Sequence, residues 1–258
     1  MKKDKILITI NNLDDINKLN ELGITKYVFP LKDFCVGMPN TFLISEIKDG
    51  YILINRILDN DGIDKLKDVL KNIDNSVKGI IFDDLGVLEI IKDLNIEKIL
   101  YLTHFNTNSK SVNIYLDYVD TVILSTDITK NEIEFIINNS KKEISLVVFG
   151  YISTMYSRRL LLDNYSKFYD IDKTNPLKID NTGHKFIVYE NDYGTVFYYD
   201  KIFNGLELMS LNAKYYYINS VFLNIDDISN ILDNKIDYLN TSNHFLDIET
   251  IYKLKEEE

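Results

Sequence analysis

The chain has 258 residues, 45% hydrophobic and 27% charged, with three prolines and ten glycines, which suits a globular protein with a sizeable core and no flexible linker. Forty acidic against twenty-nine basic residues give a formal net charge of −11, which argues against unspecific binding to nucleic acid or to a membrane surface. The single cysteine, Cys35, excludes an internal disulfide and any cluster held by this chain's thiolates alone, and MKKDKILITI lacks a signal-peptide core, so a cytoplasmic location is expected.

Lys5 to Ile10 (KILITI) is a β-branched apolar run, and the NNLDD after it offers caps for a helix over Asp14 to Leu22, ended by Gly23. A strand over Lys26 to Phe29 stops at Pro30, and Lys32 to Gly50 has no readable period. From Tyr51 the alternation is regular. YILINR predicts a strand, and DNDGIDKLKDVLKNI predicts a helix with Ile63, Leu66, Val69 and Leu70 on its apolar face. Strand Gly79 to Phe82 leads through Asp83 and Asp84 into helix Val87 to Leu94. Strand Lys98 to Leu102 runs to His104, Asn106 and Asn108 before a helix around Ser111 to Leu116. Strand Thr121 to Leu124 precedes a helix over Asn131 to Asn138, with Thr126 or Asp127 as its cap. Ile144 to Gly150 is a further strand, turning at Gly150 into a segment that packs Tyr156, Ser157, Arg158 and Arg159 together.

After Tyr165 the rhythm breaks. Lys185 to Tyr189, the turn ENDYG and Thr195 to Tyr199 read as an aromatic-rich hairpin. Helix Gly205 to Asn212, strand Tyr215 to Ile218, helix Asp226 to Leu232, strand Ile236 to Leu239 and helix Asp247 to Leu254 resume the pattern before a disordered KLKEEE end. Strands alternating with helices imply right-handed βαβ units, and so many in a row without an edge-like strand favour closure. The expected fold is α/β: one TIM-type (β/α) barrel domain over residues 1–258, with a β-hairpin insertion near residues 185–199.

In a parallel barrel the working side chains sit at the carboxyl ends of strands. Those positions include all three arginines of the chain, Arg56, Arg158 and Arg159, whose planar forks suit carboxylate or phosphate oxygens. The plain alternative is an ion pair with Asp83 or Asp84 that closes the mouth. Asp83 and His104 suit proton transfer, with Tyr156 as a third catalytic candidate, while Asp84, Asn106 and Ser157 join the arginines as ligand-binding candidates. A strand-end aspartate serves equally as an N-cap. His104, His184 and His244 lack metal-ligand spacing, and His244 is expected to face solvent. No metal and no cofactor is assigned. The eighteen tyrosines read mainly as strand filler with their hydroxyls at the surface.

FGYISTMYSRRLLLDNY resembles the signature of the collagenase-like peptidases, family U-32, with Gly150, Tyr156, Ser157, Arg159, Leu161 and Leu162 on matching positions. NNLDDINKLNELGITKYVF is similar to the family's first unit, IIFDDLGVLEIIKDL to its strand-to-helix turn, and YENDYGTVFYYDK to its hairpin. The resemblance implies a TIM-type barrel with a hairpin insertion. It also implies a peptidase, or a role in hydroxylating RNA or a quinone precursor with a cysteine-held iron–sulfur cluster. The departures are specific. The family histidine falls on Phe149, its signature cysteines on Ser153 and Leu160, and the glycine before its arginine on Arg158. A later cysteine is missing near Phe203, and a Glu-Gly-Arg turn reads Asn219, Ser220, Val221. Leucine cannot ligate iron, so a cluster of the family type is not expected.

The resemblance and the arginines lead to a divergent, peptidase-like hydrolase that binds a peptide or other anionic ligand at the barrel mouth. The lost cysteines lead instead to a non-catalytic partner subunit of a cysteine-bearing paralogue. A small-anion barrel enzyme would explain the arginines but not the signature.

Overall fold

In the computed structural model, which describes residues 2–248, most of the apolar runs become strands. The first half contains β1 (Ile6–Thr9), β2 (Lys26–Pro30), β3 (Gly50–Ile54), β4 (Val77–Phe82), β5 (Glu97–Leu100), β6 (Thr121–Val122) and β7 (Leu146–Gly150). Between them lie α1 (Asp15–Glu21), α2 (Asn60–Leu70), α3 (Leu85–Ile91), α4 (Ser109–Tyr115) and α5 (Lys130–Asn138). The second half adds β8 (Ser153–Ser157), α6 (Leu161–Tyr169), β9 (Leu177–Asn181), β10 (His184–Asn191), β11 (Gly194–Tyr199), β12 (Ile202–Asn204), β13 (Tyr216–Asn219), α7 (Ile225–Leu232) and β14 (Thr241–Ser242).

Ten strands form one mostly parallel sheet in the order β14-β12-β7-β13-β1-β2-β3-β4-β5-β6, curled as a half-barrel. β7 pairs with β13 on one side and, at its carboxyl end, with antiparallel β12 on the other. Just before β7, Ser145 makes a parallel bridge to Ile123, which follows β6. Ser145 N–H donates to Val122 O at 2.9 Å and Leu124 N–H to Ser145 O at 3.0 Å. Strands β1 and β3 are buried at every residue, as parallel strands covered on both faces must be. No helix among the described residues is long and apolar enough to cross a membrane.

Helix starts follow local chemistry. Asp59, Asp84, Asn108 and Asn224 each accept a backbone N–H two or three residues on, capping α2, α3, α4 and α7. The cap of α5 is Thr129, not Thr126 or Asp127. Its hydroxyl accepts from Glu132 N–H while Glu132 accepts from Thr129 N–H, a reciprocal box that leaves Asp127 free for another partner.

Four expectations are corrected. The hairpin strands β10 and β11 are the middle of a four-stranded antiparallel sheet, β8-β11-β10-β9, rather than a separate insertion. Leu206–Ser210 is a short 3-10 turn, and strand β14 falls after, not within, Ile236 to Leu239. Beyond Asp247 and Ile248, the helix expected over Asp247 to Leu254 and the KLKEEE end lie outside the described residues. The inner tyrosines keep their hydroxyls inside: Tyr217 bonds Thr9 Oγ1 at 2.8 Å, and Tyr51, Tyr215 and Glu97 form one bonded group.

Candidate functional site

β4 hands on Asp83, the turn after β5 carries His104, and β8 carries Tyr156. All three side chains line one cavity of about 190 Å³. Leu53 and Ile54 of β3, and Ile81 and Phe82 of β4, supply apolar wall, and Tyr101, Tyr151, Tyr198 and Tyr217 add rings.

Another wall comes from the stretch that had no period. Phe34 to Met38 is buried, so its backbone groups need internal partners. Asn55 accepts from Val36 N–H at 2.9 Å and donates to Val36 O at 3.1 Å. From the second sheet, Asn191 donates to Cys35 O at 3.0 Å and Tyr198 Oη to Gly37 O at 2.8 Å. Gly37 has φ +76°, and a Cβ there would collide with the Tyr198 hydroxyl.

Asp83 is mostly buried, and among the described residues no charged partner offsets that. Burial first, and the charge of Asp84 second, push its pKa up to about 7. His104 Nδ1 bonds Asp127 Oδ2 at 2.5 Å, and this bond raises the imidazole pKa against the opposing effect of burial. Tyr156 Oη donates to Tyr193 O at 3.1 Å. Burial raises its pKa, while Arg56 and Arg158 pull it down and Asp83 pushes it up, so these charges are its electrostatic neighbours.

The arginines stand outside the cavity lining. Arg56 donates to Asp33 O at 2.7 Å and stacks 4.0 Å above the Tyr193 ring, in an adjoining groove that also contains Asp59 and Lys65. Arg158 pairs with Asp59 at 3.2 Å, both exposed, and not with Asp83 or Asp84. Arg159 is exposed; its main chain donates to Ser157 Oγ at 3.1 Å and accepts from Thr195 Oγ1 at 2.8 Å. Asp84 caps α3 by accepting from Gly86 N–H at 2.7 Å. Asn106 does not line the cavity; it is fully buried, donating to Ile123 O at 2.9 Å with Oδ1 unpartnered. His244, expected at the surface, is packed edge-on against Tyr199 and Phe203, and burial lowers its pKa.

Sequence reasoning missed Glu190. Its buried carboxylate accepts from Leu162 N–H at 2.7 Å, Asp163 N–H at 3.0 Å and Thr195 Oγ1 at 2.6 Å, and pairs with Lys173 at 2.7 Å. Burial alone would raise its pKa; the hydrogen bonds outweigh burial and hold it low. A glutamate directly after the apolar, aromatic run Phe186 to Tyr189 was the available signal.

The residues at the cluster-ligand positions do not fit an iron–sulfur group. At the cysteine positions, neither Ser153 nor Leu160 carries a thiol and Phe203 is a fully buried ring; Phe149, where the family histidine falls, is fully buried as well. Cys35 is buried, donates to Leu53 O at 2.9 Å, and has its pKa driven far upward by burial, so it is a neutral thiol. Among the described residues no three His, Cys, Asp or Glu side chains are grouped to hold a metal.

Fold and cavity together define a mixed α/β protein with an acid, an imidazole and a phenol gathered at one pocket beside the carboxyl ends of parallel strands. The chain belongs to peptidase family U32, whose sequence model matches residues 41–239. The likeness of residues 11–29 to the family's first unit lies outside that match. The chain is also 27% identical over 124 residues to an uncharacterized protease of Methanocaldococcus jannaschii. That alignment covers 46% of this chain and 30% of the relative, well under two thirds of the relative's length.

Proposed function

We propose that the chain is a peptidase-like hydrolase built on an eight-stranded TIM-type barrel, binding a peptide or other anionic ligand at the barrel mouth. The bridge between Ile123 and Ser145 supports closure, because it links β6 to β7 and leaves β7, β13 and β1 to β6 as a ring. The observation that carries the function is the cavity shared by Asp83, His104 and Tyr156.

In this reading Asp83, with a pKa near neutrality, or His104, held by Asp127, moves the proton. Tyr156 turns its hydroxyl from Tyr193 O to donate a hydrogen bond to the reacting group. Arg56, Arg158 and Arg159 meet negative groups of the ligand at the outer rim, with Ser157 steadying the Arg159 backbone. Purified protein should then cleave some member of a peptide library, and Asp83→Asn or His104→Ala should abolish cleavage while circular dichroism stays unchanged.

The packed rings of Phe149 and Phe203 favour a second reading, a partner subunit of a cysteine-bearing paralogue in hydroxylation of RNA or a quinone precursor. Co-purification of such a relative from native extract supports it. A homogeneous protein that cleaves peptides alone removes it.

A further inference from the structure

The cavity differs in chemistry from its rim. Its lining contains no lysine or arginine, and the histidine in it, His104, is already matched by Asp127. Asp83 is the one carboxylate of the lining, and no cation of the chain pairs with it among the described residues. A negative group entering this space would meet Asp83 with no cation in the lining to offset either charge, whereas a cation would complete the missing pair. Aromatic walls add to that preference, since tyrosine ring faces attract ammonium groups.

Size narrows the ligand further. A cavity of roughly 150 Å³ holds benzene, and pockets for drug-sized ligands run to about 300–1,000 Å³. At about 190 Å³ this one accepts a single ring or short branched chain with a small polar arm. An extended peptide does not fit inside; one terminal residue does.

We propose that the cavity binds a primary ammonium group carried on one small apolar unit, paired to Asp83 and packed among Tyr101, Tyr198 and Tyr217. This deepens the hydrolase reading and rests on it for the idea that the mouth holds a ligand. The substrate class becomes a peptide that enters amino-terminus first, its charged nitrogen inside and its carboxylates left at the arginine rim. Asp83 then anchors the substrate, and proton transfer falls to His104 with Asp127.

Three probes of one shape test it: benzylamine, benzyl alcohol and benzoate, with the melting temperature of the intact chain followed by differential scanning fluorimetry at about pH 8, where the carboxylate form of Asp83 is accessible. Benzylamine should raise the melting temperature most, benzyl alcohol less, and benzoate not at all. In Asp83→Asn the amine should lose its advantage over the alcohol. Equal or better binding of benzoate, no response to any probe, or an amine advantage that survives in Asp83→Asn overturns the proposal. The wild-type comparison decides the matter even if the variant does not fold. Amine binding without cleavage of any peptide would sink the hydrolase reading alone, and cleavage without amine binding would sink this assignment alone.

Discussion

The carboxylate of Glu190, on the second strand from the edge of the small sheet, accepts the N–H of Leu162 at 2.7 Å and so fixes where helix α6 begins. Because α6 follows directly on Tyr156 to Arg159, this contact holds the signature segment between two anchors, β8 on one side and the helix start on the other. Glu190→Ala would leave Lys173 and two helix N–H groups without their acceptor, while the Thr195 hydroxyl keeps Arg159 O. It should cost roughly 3–5 kcal/mol in urea unfolding. Since the folded pKa is held low, the contribution is present above the unfolded value and is lost as pH falls through the folded one. The wild type should therefore lose stability in acid more steeply than Glu190→Gln.

Asp83 has the opposite sign. Its pKa rises from an ordinary value of about 3.9 to about 7 in the fold. Between these values the unfolded chain is ionised while the folded one keeps its proton, so stability falls as pH rises from about 4 to about 7 and levels off above. The loss is on the order of 4 kcal/mol. Asp83→Asn should flatten this part of the pH–stability curve and be more stable than wild type at about pH 8; a variant with the same slope as wild type would refute the assignment.

The bond from Asp127 raises the pKa of His104. In Asp127→Asn the imidazole should titrate at lower pH, read from the ring-proton shifts of His104 by NMR. A midpoint that does not move would mean the pair is not formed in solution.

Gly37→Ala combines a left-handed backbone with a collision against the Tyr198 hydroxyl. The expected loss is at least about 2 kcal/mol in thermal or chemical unfolding. Tyr198→Phe in the same background should recover part of it, because removing the hydroxyl opens the space the new methyl needs.

Arg158 and Asp59 form an exposed pair, and such pairs contribute little to folding. Arg158→Ala should leave the melting temperature nearly unchanged in dilute buffer. If the rim binds anions, the same change should shrink the stabilisation that sulfate or phosphate gives the wild type, and Arg159→Ala should do likewise.

Strand and helix alternation from Tyr51 to Asn138 was legible because each unit states its own boundaries: apolar run, Asp or Asn cap, periodic helix. Phe34 to Met38 was not legible, since what holds it is Asn55, Asn191 and Tyr198, residues as many as 161 positions away. β8 was missed because STMYS is neither alternating nor apolar, and it becomes a strand by pairing with β11. Of the candidate site, Asp83, His104 and Tyr156 do share a cavity, which follows from reading strand ends. The role of Asp84 could be read only as one of two alternatives, and the hydrogen-bonded cap decides for α3. For Asn106 the spacing predicted a rim position, yet its amide is turned inward to Ile123, a choice that strand-end counting cannot make.

Phe149 and Phe203 sit on neighbouring strands, their rings wholly enclosed and their residues one step apart in the β7–β12 pairing. Placing a histidine or a thiol at either position would open a void or strand a polar atom in a filled interior, and neither change alone creates a donor set. Either change alone is thus penalised with no metal bond to offset it, so the filled β7–β12 interior itself works against a metal centre at this place.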